Sequence, residues 1–214
     1  METSPPRTLL ITGASSGIGA ALARAYADAD VVLHLGGRDQ ARLEATAIAC
    51  RKAGATVVPR RQDVTDAPEM AAWIAEASAQ GPLDLVIANA GISGEAQATA
   101  TGGPSPAVHP PGLSAKILAV NLTGVINTVY PALDSMMGHP PPAGGGRRQI
   151  AIMSSLAGFR GMPTAPAYCA SKAALRTLAE SLRVVSARHG IGVSVICPGF
   201  VESAMTERNP FPMP

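Results

Sequence analysis

Aromatic residues make up only 3% of this 214-residue chain, with one tryptophan, three tyrosines and three phenylalanines. Charge is equally sparse: 15% of residues are charged and the formal net charge is +2. The basic side chains form scattered pairs, Arg60-Arg61 and Arg147-Arg148, with no stripe that would follow a phosphodiester backbone. That excludes a nucleic-acid partner. The three cysteines, Cys50, Cys169 and Cys197, have neither metal-ligand spacing nor a pairing pattern, which predicts a reduced, cytoplasmic chain. His34, His109, His139 and His189 have no acidic or cysteine neighbour at ligand spacing, so they read as packing or surface residues and no metal is expected. The start, "METSPPRTLLITG", lacks a signal peptide's long apolar stretch, and no apolar run approaches membrane-span length. No membrane partner is expected.

Hydrophobic residues amount to 47%, with 22 glycines. This is enough apolar material for one well-buried domain over residues 1–214, and too little chain for two. Short apolar runs at 8–12, 31–36, 56–60, 83–89, 149–155 and 193–198 read as strands. Several are apolar on both faces, as parallel strands covered by helices on each side should be. Helical stretches at 17–29, 39–53, 66–80, 113–137 and 167–189 lie between them. Asp66, Pro68 and Glu69 have the spacing of an N-cap, a first-turn proline and a capping box. The repeated β-α order predicts an α/β fold, a Rossmann-like doubly wound parallel sheet with helices on both faces. Residues 92–112 and 138–148, rich in Gly and Pro, interrupt the rhythm; the first reads as a mobile loop and the second as an irregular surface connection.

"TGASSGIG" (12–19) stands where the first strand passes to the first helix. Gly13 permits a tight turn, Gly17 admits a pyrophosphate close to the backbone, and Gly19 allows close helix–strand packing. The helix N-terminus, with Ser15, Ser16 and Ile18 around it, favours an anion. The second strand then discriminates between dinucleotides. An acidic residue there would bind ribose hydroxyls; instead Gly36 and Gly37 are followed by Arg38, whose guanidinium suits a 2′-phosphate. Asp39 reads as the N-cap of the next helix, with NAD use through Asp39 as the alternative. NADP(H) is the expected cofactor and NAD(H) remains possible.

Tyr168 and Lys172 in "YCASK" are i and i+4 on one helix, so their side chains share a face. An unperturbed phenol, with pKa near 10, is a poor acid-base catalyst at neutral pH. A neighbouring ammonium stabilises phenolate and brings that pKa towards the working range. Ser155, at the end of the preceding strand, can offer its hydroxyl to the same substrate oxygen. This is machinery for interconverting a carbonyl and a secondary alcohol beside a nicotinamide. Cys169 points elsewhere on the helix and is given no chemical role, while Arg176 and Glu180 read as a solvated i,i+4 pair with Arg183 a turn on.

With these pieces in order, the chain from Thr8 to about Met205 resembles the short-chain dehydrogenase/reductase family. "TGASSGIG" looks like its glycine motif, and Asp63, beside Val64 in "DVTD", matches the residue that contacts adenine. Asn89, Ala90 and Gly91 resemble the "NAG" segment beside the cofactor, and Asn121 in "VNLTG" matches a helix residue credited with a proton relay. Ser155 precedes Tyr168 by the family's interval of about 13 residues. Pro198, Gly199, Val201 and Ser203 in "PGFVES" resemble the segment that closes on the nicotinamide. The resemblance implies that Tyr168 is the general acid-base and that Lys172 lowers its pKa and holds the nicotinamide ribose. It also implies that Ser155 polarises the carbonyl and Asn121 carries the relay; taken by itself, Asn121 reads equally as a structural helix residue.

Small residues Ala170, Ala174, Thr177 and Ser181 line one side of the Tyr-Lys helix. The resemblance implies a homo-oligomer through helices 113–137 and 167–189, although small residues also suit packing on a sheet. Relatives usually continue beyond the equivalent of Pro214 with a substrate-covering helix, another helix and a final strand. An incomplete lid and an open sheet edge are therefore expected, and with them a dinucleotide-binding protein without turnover is the rival reading. The loop at 92–112 is longer than usual for the family and borders the expected pocket for a small carbonyl or alcohol substrate.

Overall fold

The computed structural model describes residues 5–93, 111–140, 147–163, 165–203 and 205–206. The loop expected at 92–112 therefore lies almost wholly outside the described residues, as do 141–146 of the second connection and the last eight residues.

Six parallel strands, β1 Thr8–Thr12, β2 Val32–Gly37, β3 Thr56–Arg61, β4 Leu85–Ala88, β5 Arg148–Met153 and β6 Ile191–Ile196, form one sheet in the order β3-β2-β1-β4-β5-β6. The strand order reverses between β1 and β4, where a doubly wound sheet opens a crevice at the carboxyl ends of its strands. Helices α1 Gly17–Tyr26, α2 Gln40–Lys52, α3 Ala67–Gln80, α4 Pro111–Leu118, α5 Gly124–Met137 and α6 Pro166–Ala187 cover both faces.

The alternation of side chains along a strand divides the core in two. Leu10, Val86 and Ile150 pack with α3, α5 and α6, whereas Leu9, Ile11, Leu33 and Ile87 pack with α1 and α2. β3 and β6 are the two outer strands among the described residues, and Ile196 of β6 is 41% exposed.

Side-chain caps set several element boundaries. Asp39 accepts from the Arg42 N–H at the start of α2, and Asp66 accepts from the Glu69 N–H at the start of α3. The capping box expected at α3 is only half formed. The Glu69 carboxylate turns outward to Arg60, 2.9 Å away, and Glu76 takes the other arm of the same guanidinium at 2.7 Å.

Arg148, read from sequence as half of a surface pair, is buried instead. Its guanidinium donates to the carbonyls of Met136, His139 and Pro140, closing the C-terminal end of α5 with positive charge.

Two further expectations are corrected. Gly112–Met137 is continuous helix through a π turn at Ala119–Thr123, and by length and composition it is apolar enough to cross a membrane. One face of it, with Val120, Asn121, Val125, Val129 and Leu133, lies in the protein interior, while Leu118, Ile126, Tyr130 and Met137 are exposed. Arg176 does not pair with Glu180. It stacks on the Phe159 ring at 4.2 Å, and Arg183 donates to the Val193 carbonyl, so both guanidiniums serve packing around α6.

Candidate active site

The turn from β1 into α1 makes a cradle. Gly13 holds φ +69°, a left-handed conformation, and a Cβ there would lie 2.8 Å from the Ala90 backbone. That close approach is built by β4. Asn89 donates from Nδ2 to the Thr12 and Gly13 carbonyls, while the Asn89 and Ala90 N–H groups donate to Thr12 Oγ1 at 3.0 and 3.1 Å. The Asn-Ala-Gly segment is thus clamped across the strand reversal. Ser16 precedes α1 without spending its hydroxyl on a helix cap, so the first N–H groups and this hydroxyl all stand at one positive helix end. Gly19 does not line the cleft; it packs against the Gly13 carbonyl beneath it.

From the cradle a cleft of about 290 Å³ extends both ways, lined by Gly13, Ser15, Ser16, Gly17, Ile18, Arg38, Asp63, Val64, Asn89, Ala90 and Gly91. Pro198, Gly199, Val201 and Ser203 complete its wall opposite the sheet. Ser203 packs directly over Gly17. At the β2 end Asp39 is fully engaged by Arg42, receiving a backbone bond at 3.0 Å and an Nε bond at 2.7 Å. These bonds hold its carboxyl below the usual range. The Arg38 guanidinium makes no hydrogen bond or ion pair among the described residues and lines this end of the cleft, near Asp63. Arg42 lines it as well and was missed in the sequence, although its i,i+4 spacing from Arg38 across the start of α2 was a usable signal. Burial raises the Asp63 pKa, but hydrogen bonds from the Thr65 N–H and hydroxyl, with Arg38 and Lys116 nearby, leave it lowered overall. It therefore stays an acceptor.

The other end of the cleft carries the acid-base residues. Ser155 stands just past β5 as the cap of a short 3₁₀ turn, Leu156–Gly158, accepting from the Ala157 N–H at 3.1 Å. A hydroxyl whose lone pair is committed to a backbone N–H presents its proton to other acceptors. Tyr168, in the first turn of α6, lines the cleft together with Ser155.

Lys172, one turn along, is 4% exposed. Its Nζ donates to the Met153 carbonyl at 2.8 Å and lies 5.6 Å from the centroid of the Tyr168 ring. Burial lowers its pKa to about 8, with Cys197 pulling weakly the other way. A carbonyl is its sole recorded hydrogen-bond acceptor among the described residues, so this ammonium has unspent donors and an unneutralised charge directed into the cleft.

Asn121 does not line the cleft. It is fully buried in the π turn, where it exchanges both hydrogen bonds with the Ile92 backbone and donates to Ser171 Oγ. Those contacts make it a strut between the helix and the segment after β4. Cys169 also has a structural partner, accepting from the Met162 N–H at 3.3 Å. His34 is buried, and burial lowers its pKa, while His139 bonds Ser78. The described residues contain no cluster suited to a metal.

A second cavity, about 330 Å³, adjoins the first, and both are lined by Ser155, Tyr168 and Gly199. A parallel sheet with an anion cradle at its reversal point, and a Ser, Tyr and Lys where two cavities meet, defines a dinucleotide-binding oxidoreductase. Residues 7–211 match the family model described as short chain dehydrogenase. The chain belongs to the short-chain dehydrogenase/reductase family.

An uncharacterized oxidoreductase of Myxococcus xanthus is 41% identical over 97% of this chain and 77% of its own length. The solved structure of an actinorhodin polyketide ketoreductase variant with NADPH superposes with a TM-score of 0.80 at 31% identity, over 96% of this chain and 74% of that one. A short-chain dehydrogenase/reductase from Burkholderia phymatum in complex with NAD gives 0.79 at 27% identity, over 97% and 70%. As an oxidoreductase of this family, the protein uses a nicotinamide dinucleotide and acts on small carbonyl or alcohol substrates. The open cradle at Gly13–Gly17 and the unspent cations beside it fit such a cofactor.

Proposed function

We propose that the protein is an NADP(H)-dependent reductase or dehydrogenase that interconverts a carbonyl and a secondary alcohol. The observation that carries this reading is the meeting of the two cavities at Ser155 and Tyr168, with the Lys172 ammonium buried behind them. The dinucleotide, when bound, supplies or accepts the hydride. Ser155 donates a hydrogen bond to the substrate oxygen and holds the carbonyl in place. Tyr168 gives a proton to that oxygen, or takes it in the reverse direction, and Lys172 favours the phenolate while holding the nicotinamide ribose. Asn121 keeps the segment after β4 in register with this group; the proton relay expected from its family counterpart is proposed here to pass along the same strut.

NADP(H) is favoured by Arg38, which makes no hydrogen bond or ion pair through its guanidinium among the described residues, and by the commitment of Asp39 to Arg42. We also propose a homodimer through α4–α5 and α6. Ala170, Thr177 and Ser181 are exposed, not packed on the sheet, while Tyr130 is 47% exposed on α5.

Replacing Tyr168 with Phe tests the assignment. Reduction of any ketone accepted by the wild type should fall by about 10²–10⁴-fold, while NADPH fluorescence titration gives unchanged binding. Full turnover in Tyr168→Phe removes the tyrosine from the chemistry, and failure of the wild type to bind either NADPH or NADH removes the enzyme reading.

A further inference from the structure

The cavity on the substrate side of Ser155 and Tyr168 is walled largely by carbon, from Leu156, Met162, Phe200 and Met205. Among its described lining residues one permanently charged side chain intrudes, Arg160, and no carboxylate faces it. A guanidinium carries five donors and keeps its charge at any working pH, and Arg160 is exposed at the rim of this cavity, open to an incoming acceptor. Arg160 has no hydrogen bond and no ion pair among the described residues, whereas Arg42, Arg51, Arg60, Arg148 and Arg183 each have one.

The backbone beneath Arg160 is held in place. Leu156 N–H donates to the Pro198 carbonyl, and Gly158 packs so closely on α6 that a Cβ would lie 2.8 Å from the Lys172 carbonyl. Phe159 lies under Arg176, and Met162 is tied to Cys169. Arg160 therefore springs from a segment fixed at both ends to the same helix that carries Tyr168 and Lys172. The fold thus sets where the Arg160 backbone stands beside the cavity.

We propose that the substrate bears a carboxylate, and that Arg160 receives it while Ser155 and Tyr168 take the carbonyl or alcohol oxygen at the other end of the same molecule. The planar fork of a guanidinium matches a carboxylate with two parallel bonds, and apolar walls between the two polar ends suit a short hydrocarbon frame. This assignment of substrate class rests on the carbonyl–alcohol reading above.

The test uses the NADPH-loaded protein with 4-oxocyclohexanecarboxylate and 5-oxohexanoate, each against its primary amide. Wild type should prefer the carboxylate of each pair by about 10- to 100-fold in kcat/KM. In Arg160→Met that ratio should collapse to near one, and Arg160→Lys should restore part of it. A wild-type ratio of one or below, or an undiminished ratio in Arg160→Met, overturns the proposal. If wild type reduces neither member of either pair, calorimetric binding of the two carboxylates to the NADPH-loaded protein replaces the kinetic reading. Binding that disappears in Arg160→Met then upholds the anion site while the carbonyl–alcohol reading falls, and no binding, or binding indifferent to Arg160, overturns the site itself.

Discussion

The two cavities that meet at Tyr168 are built on different terms. In the cofactor cleft backbone does much of the shaping: a left-handed glycine, a helix end, and an asparagine that ties β4 to the first turn. The substrate cavity is shaped by side chains, with an apolar wall and one guanidinium. A backbone cradle tolerates few sequences, because a Cβ at Gly13 meets the main chain of Ala90. A side-chain wall admits many, since apolar residues of similar volume replace one another at modest cost. The first cavity therefore carries what the family shares, and the second what distinguishes its members.

Arg38 offers the largest way to break this contrast. Replacing it with Asp puts a carboxylate where a 2′-phosphate would lie. NADPH affinity should drop about 10- to 100-fold, with NADH affected far less, as read by paired fluorescence titration. The order of preference among ketones should stay the same. If the order of ketones changed along with the cofactor, the two cavities would not be separable, and if NADPH binding held, Arg38 would lie outside the dinucleotide site.

The same contrast governs what was legible in the sequence. Gly13, Ser15, Ser16 and Gly17 of the glycine motif, Asn89 to Gly91, and Ser155, Tyr168 and Lys172 all line the cleft, because their spacing is dictated by strand and helix geometry. The cap at Asp39 could be read because it depends only on residues three positions apart. Glu69 was misread because its competitor, Arg60, comes from β3 and is invisible in local spacing. Arg148 and Arg176 were read as surface charges for the same reason: their partners, the last carbonyls of α5 and the ring of Phe159, become neighbours only in the fold. Arg160 gave no sequence signal at all, since an unpaired guanidinium is recognised only after its surroundings are known.

Lys172 sharpens the contrast through stability. Its pKa in the folded, cofactor-free protein is about 8, below its ordinary value, so the unfolded chain holds this proton more tightly. Stability must then rise as pH climbs from about 8 to the ordinary lysine value near 10.4, where both states become neutral, and the charged form costs up to roughly 3 kcal/mol below that window. Lys172→Met should remove this rise. The check is the difference between wild-type and variant urea midpoints at pH 7.5 and pH 10, which cancels contributions from other titrating groups. A difference that does not change with pH would mean that the amine is solvated, and that the cleft end is wetter than its burial indicates. NADPH should narrow the difference, because bound phosphate and ribose oxygens give the ammonium the acceptors it lacks.

Phe159 carries the smallest expected effect and the most specific one. Its ring is 59% exposed, so truncation removes little buried area; what it loses is the contact with Arg176. Phe159→Ala should cost only about 0.5–1 kcal/mol by urea denaturation. The kinetic consequence should be confined to the substrate cavity, because the ring helps hold the segment that bears Arg160. KM for a carboxylate-bearing ketone should rise several-fold, with NADPH affinity unchanged and the amide's KM moving less. An equal rise for acid and amide would mean that the segment shapes the apolar wall without aiming the guanidinium. Unchanged KM for both would mean that Gly158 and the Leu156–Pro198 bond fix the loop unaided, and the stacking of Phe159 on Arg176 would then serve α6 alone.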